Sequence, residues 1–183
     1  MIALYIILGV ILAWLIFTYN SFVQLQNYVR KSFSGIDVQL KKRADLVPNL
    51  VSTVKSYAKH EATVLEEVTK ARSELLSARD DQDVKEMAKK EKNLTQAFKS
   101  LFAVAENYPD LKASENFLKL QEELSLIESQ IAAARRIYNS NVMQYNTKRE
   151  TIPSNIVAKI AKFEKHDLFK AEDSEKKNVE MSI

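Results

Sequence analysis

Two histidines, His60 and His166, are the only imidazoles in a chain of 183 residues that contains no cysteine. His60 and Glu61 open the run HEATV, in which Val64 stands where a zinc-protease helix would place its second histidine. One imidazole beside one carboxylate does not make a metal site. His166 lies in a charged C-terminal stretch, and no serine has a histidine within a recognisable local motif. Only 2 glycines are available, which leaves no material for a phosphate-cradling loop. These residue types predict no catalytic group, no metal, no cofactor and no enzyme activity.

Polar groups recur instead inside apolar stripes. Glu128, Arg135, Asn139 and Asn146 share one face of a helical segment, beside its apolar row. Arg43 and Glu61 interrupt the first apolar stripe, and Glu91 the second. Two readings stay open for this set. The groups pair across helices and fix the register of a long bundle, or they form an interface with a partner or another subunit.

The elements that must carry these residues follow from periodicity. Leu25, Val29, Phe33, Ile36, Leu40, Val47, Leu50, Val54, Tyr57, Val64, Val68, Ala71 and Leu75 recur mostly at steps of three and four, one stripe along a helix. DDQD at 80 to 83 ends it and offers carboxylate caps for the next helix. A second stripe runs Val84, Met87, Leu94, Phe98, Leu101, Ala105 and Tyr108 to Pro109. Ser114 then starts a third: Phe117, Leu120, Leu124, Ile127, Ile131, Ala134, Tyr138, Val142 and Tyr145, ending before Pro153. A short helix from Ser154 to about Phe163 follows. Each stripe needs a partner, and the short connections suit antiparallel neighbours. The fold class is all-α, an elongated antiparallel bundle of long helices. Part of the first stripe, between residues 22 and 47, is expected to remain uncovered by a single chain, a vacancy that oligomerisation would fill.

The first twenty residues have a separate character. MIALYIILGVILAWLIFTYN is apolar from Ile2 to Phe17, and no charged side chain precedes Arg30. Residues 2–19 as a helix extend roughly 27 Å, just enough for a hydrocarbon core of about 30 Å. Trp14 and Tyr19 lie where an interfacial aromatic belt would put them. A basic leader region and small cleavage-site residues are both missing, so a retained single-pass anchor is expected, in contact with the bilayer. Arg30, Lys31, Lys41, Lys42 and Arg43 follow the span, which favours an outside N-terminus and a cytoplasmic body at the cell membrane. The net charge of +3 is spread along the chain, with no basic stripe of interleaved aromatics, so nucleic acid is not an expected partner.

Pro48 sits in an otherwise helical run, KKRADLVPNLV at 41 to 51. With Asp45 as an N-cap, Pro48 would fall in a first turn, where its missing N–H costs little. Asp45, Pro48 and Asn49 therefore predict a kink or a restart of the helix. RADLVPNLV and the VKSYAKHE that follows at 54 to 61 resemble the signature of the LemA family. The resemblance continues through ENYPDLKASENFLKLQEEL at 106 to 124, IESQIAAARRIYNSNVMQYN at 127 to 146 and IPSNIVAKIAKF at 152 to 163. Ile152 departs from it, since the family more commonly has an aromatic residue there. The resemblance implies a membrane-anchored helical bundle, and it implies no defined chemistry.

Three regions are thus expected: an anchor over 1–20, a bundle over 21–163, and a charged, flexible tail over 164–183. The expected function is that of a noncatalytic membrane scaffold that self-associates and organises other membrane proteins. The alternative is a one-to-one adaptor for a membrane enzyme such as a quality-control protease.

Overall fold

The computed structural model of the chain describes residues 1–81 and 83–169. Helices α1 (Ile2–Tyr57), α2 (Ala62–Asp80), α3 (Val84–Ala105), α4 (Pro109–Lys112), α5 (Glu115–Glu150) and α6 (Ser154–Ile160) follow in order, with no strand among the described residues. Local chemistry sets several of these ends. Asp83 caps α3, its carboxylate accepting from the N–H groups of Lys85 at 2.8 Å and Glu86 at 3.2 Å. Pro109 occupies the first turn of α4, where its lack of an N–H is harmless.

The apolar stripes are the buried faces. Val29, Ile36, Leu40, Val47, Leu50 and Val54 of α1 are buried, as are Phe117, Leu124, Ile127, Ile131, Tyr138, Val142 and Tyr145 of α5. Between residues 22 and 47, where part of the first stripe was expected to stay uncovered, Val29, Ile36, Leu40 and Val47 are buried within one chain and Leu25 and Phe33 remain half-buried.

Two breaks differ from expectation. The restart at Asp45 does not occur, because α1 runs unbroken through Pro48. Asp45 is exposed and pairs with Lys41 one turn earlier, at 2.8 Å. Pro48 cannot donate to the carbonyl of Ala44, a residue with no exposed surface. That carbonyl accepts instead from the Arg72 Nε of α2, at 2.8 Å. A neighbouring helix supplies the donor that proline removes, and the helix continues. The long first stripe breaks later, at residues 58–61, a turn closed by Ala58 N–H to Val54 O and Glu61 N–H to Ala58 O.

The chain divides into two compact units, and α1 and α5 each contribute to both. One unit joins residues 1–35 to residues 136–168. Here α1 and α5 pair antiparallel, as the contacts Phe33–Tyr138 and Phe22–Tyr145 show. The other unit holds residues 36–135 and Phe169. It is a four-helix arrangement of α1, α2, α3 and α5. Asp37–Arg79 and Ala44–Arg72 set α1 antiparallel to α2, while Glu91–Arg135 and Phe102–Phe117 set α3 antiparallel to α5.

Of the stretch expected as a flexible tail, residues 164–169 are described, with His166 half-buried, Phe169 buried and the rest exposed. His166 is held by Asn146, and Phe169 is fully buried. Residues 170–183 of that expectation lie outside the described residues.

Candidate functional site

The most unusual chemistry in the four-helix unit is a buried carboxylate between two guanidinium groups. Helix α3 places Glu91 on its apolar face, where it is 7% exposed. Arg43 of α1, 3% exposed, donates from Nη1 to Glu91 Oε1 at 2.6 Å and to Thr95 Oγ1 at 3.0 Å. Arg135 of α5 donates from Nη2 to the second oxygen, Oε2. Thr95, one turn after Glu91, also donates its hydroxyl to Oε1, at 3.3 Å. Each guanidinium lies over an aromatic ring: Arg43 over Phe98 at 5.2 Å, and Arg135 over Phe169 at 5.0 Å.

Burial pushes the Arg43 guanidinium below its ordinary value, against the opposing fields of Glu91 and the exposed Glu128. A guanidinium nonetheless keeps its proton in proteins. No proton can therefore shuttle through Arg43 or Arg135. The geometry ties three helices at one level, since Glu91 reaches both α1 and α5. The Nε groups of Arg43 and Arg135 are buried without hydrogen-bond partners.

Around this centre, Arg79 of α2 grips Asp37 of α1 with two parallel bonds, Nε to Oδ1 at 2.6 Å and Nη2 to Oδ2 at 2.9 Å. That hydrogen-bonded carboxylate holds Arg79 above its ordinary value. Glu61 lies apart from the cluster and accepts from the Tyr108 hydroxyl at 2.9 Å. The face shared by Glu128, Arg135, Asn139 and Asn146 is thus divided. Arg135 enters the ion cluster and Glu128 adds only its field. Asn139 and Asn146 belong to the other unit.

There Asn146 meets the backbone of His166 twice, Nδ2 donating to His166 O at 2.8 Å and Oδ1 accepting from His166 N–H at 3.1 Å. Tyr138 donates to Asp167 O at 2.9 Å, and burial raises its hydroxyl to about 12. The His166 ring stands edge-on to Tyr145 at 4.7 Å. Burial, and then the charge of Arg30, hold His166 below its ordinary value, and its Nε2 is buried without a partner. Asn139 lines a shallow groove with Leu25, Arg136, Met143 and Thr147.

Sequence reasoning missed Arg72, Arg79, Asp37 and Thr95. Their partners lie far along the chain, and an ordinary arginine on a helix carries no local mark of such a partner. Among the described residues, no group of three or more His, Cys, Asp or Glu side chains converges as metal ligands would.

The chain is similar to a protein LemA of Metamycoplasma hominis, 28% identical over 163 residues, covering 89% of this chain and 74% of that one. It is also similar to the magnetosome protein MamQ 2 of Paramagnetospirillum magneticum, 23% identical with 86% of this chain and 66% of the relative covered. The magnetosome protein MamQ of Magnetospirillum gryphiswaldense is 21% identical, with 85% and 65% covered. The match thus spans about two thirds of the length of these magnetosome relatives. A profile of the LemA family matches residues 32–182, which takes in the ion cluster, the Pro48 turn and both halves of α5, and the chain belongs to that family.

Proposed function

We propose that the protein is a noncatalytic, single-pass membrane scaffold whose helical body organises other membrane proteins. One observation carries this reading: an apolar stretch long enough to cross a bilayer continues without a break, in the same helix, into the packed body. The buried polar groups support it, because arginines locked on one glutamate hold helices together. In this reading Arg43, Glu91 and Arg135 fix the register of helices that apolar contacts alone would let slide.

Self-association is the first form of the proposal. It draws on Leu118, Leu126, Ile137 and Met143 of α5, which are exposed. Burial of most of the stripe residues within one chain supports the second form, an adaptor bound one-to-one to a membrane enzyme. The mass of the full-length particle in mild detergent, corrected for bound detergent, separates them. A uniform multiple of 21.0 kDa supports the scaffold, and a monomer supports the adaptor.

The cytoplasmic placement of the body rests on the basic residues after the span. A cysteine at the exposed Ser73, in a chain that has none of its own, should resist a membrane-impermeant maleimide in intact cells. Rapid labelling there would place the body outside.

A further inference from the structure

Helix α6 presents Ile156 and Ile160 to no partner among the described residues, and Ile152 stands exposed in the turn that leads into it. Ile152, Ile156 and Ile160 are 78%, 52% and 75% exposed, while Val157 and Ala158 are buried. A step of four residues keeps Ile156 and Ile160 on one helical face. Such a row in water is unfavourable, and its position in the unit indicates what covers it.

Within residues 1–35 and 136–168, the antiparallel contacts descend α1 as they ascend α5: Phe33 with Tyr138, Phe22 with Tyr145, Ser21 with Lys148. Continuing that pairing brings the end of α5, and α6 after it, to the level of residues 14–20. The aromatic contacts agree. Phe163, just beyond α6, stacks on Phe22 at 4.9 Å and meets Tyr19 at 5.6 Å. It is aimed there by the way α6 ends. Lys162 takes the left-handed conformation (φ 54°), Phe163 N–H bonds Ala158 O at 2.9 Å, and Lys162 N–H bonds Lys159 O at 3.3 Å.

Burial along α1 gives the depth. From Met1 to Ala13 every residue is exposed, whereas Trp14 and Leu15 are half-buried and Thr18 is buried. Packed protein therefore reaches Trp14, about 7 Å along the helix beyond Tyr19 at 1.5 Å per residue. Trp14 and Tyr19 bracket the layer where a bilayer passes from hydrocarbon to headgroup.

We propose that α6 is a membrane-surface element, its Ile156 and Ile160 face and the preceding Ile152 seated in the headgroup–acyl boundary beside the anchor, with exposed Lys159 and Lys162 reaching anionic lipid headgroups. The inference rests on the membrane-anchor reading above and adds a second contact to it. Lipid is the occupant because Phe163, at the end of α6, packs on Tyr19 and Phe22 beside a span whose own covering solvent would be lipid. The neighbouring lysines add a charge that matches phosphate.

The test uses the full chain in vesicles of phosphatidylcholine with phosphatidylglycerol. Single cysteines, Ile156→Cys, Ile7→Cys and Ser73→Cys, each carry an environment-sensitive fluorophore. The first site should lose intensity to nitroxides placed shallow on the acyl chains and resist aqueous iodide. Ile7→Cys should respond to deep nitroxides, and Ser73→Cys only to iodide. Raising the phosphatidylglycerol fraction should deepen the response at residue 156, and Lys159→Gln with Lys162→Gln should remove that increment. If residue 156 behaves like residue 73 while residue 7 stays in lipid, α6 lies in water and this proposal fails with the anchor intact. If residue 7 is also open to iodide, the anchor reading fails and α6 goes with it.

Discussion

In residues 36–135 a buried carboxylate is gripped by two guanidinium groups. In residues 1–35 with 136–168 a half-buried amide, Asn146, holds a peptide unit at His166. The first unit joins helix to helix through charge, across parts of the chain far apart in sequence. The second joins a helix to a returning segment of the same chain, through amide bonds and stacked rings. The difference shows how each arrangement meets the cost of burying polarity. Ions placed out of water must be paired almost completely, whereas a peptide group needs only one good donor and one good acceptor. A disturbance should therefore be felt much more sharply in the ion cluster than in the amide-held segment.

The largest effect is expected at Glu91. Replacing it with Leu strands two buried guanidinium groups, and losing a partner from such a buried set costs about 3–5 kcal/mol. Urea unfolding of the full-length protein in detergent should show the loss. Arg135→Met should cost less, because Glu91 keeps Arg43. Equal losses would mean that the three groups do not act around a shared carboxylate.

Arg72→Ala comes next. It leaves the Ala44 carbonyl buried without a donor, a penalty of about 1–3 kcal/mol, and hydrogen exchange should quicken around residues 44–48. Unchanged exchange there would mean that Arg72 is incidental to the passage of α1 through Pro48.

The smallest effect is a pH dependence in the other unit. His166 is held below its ordinary value by burial and by Arg30, so the unfolded chain binds its proton more readily than the folded one. The stability that neutral His166 contributes is complete above about pH 6.5 and is lost as the pH falls from there through the lowered folded value. Melting followed between pH 7.5 and 5.5 should slope downward toward acid, and His166→Asn should flatten that slope. A slope unchanged by the substitution would assign the acid sensitivity to other groups.

Much of this architecture was legible in residue order. The stripe from Phe117 to Tyr145 is the buried face of α5, and the carboxylates at 80 to 83 contain the cap of α3. Periodicity carries that information because burial selects side chains at fixed angular intervals. The interruptions by Arg43 and Glu91 were visible too, as was Arg135 beside the third stripe, though not that one carboxylate would serve both arginines. The turn at 58–61 was not legible, since it holds no glycine or proline, and Glu61 sends its carboxylate to Tyr108 rather than to a cap. Pro48 suggested a restart that does not occur. The carbonyl it frees takes a donor from another helix, which no local window contains.

That distant donor has a consequence for how the chain comes into being. A proline inside a helix costs about 3 kcal/mol when nothing compensates it. On a ribosome, residues 44–48 are made before Arg72 exists, so at that stage the freed carbonyl of Ala44 has only water to turn to. Satisfaction of that carbonyl is therefore acquired late, as a latch that closes when α2 folds back. The reverse also holds: a protease, chaperone or partner that peels α2 away would release the helix at the same residue pair, converting a tertiary event into a local loss of helix.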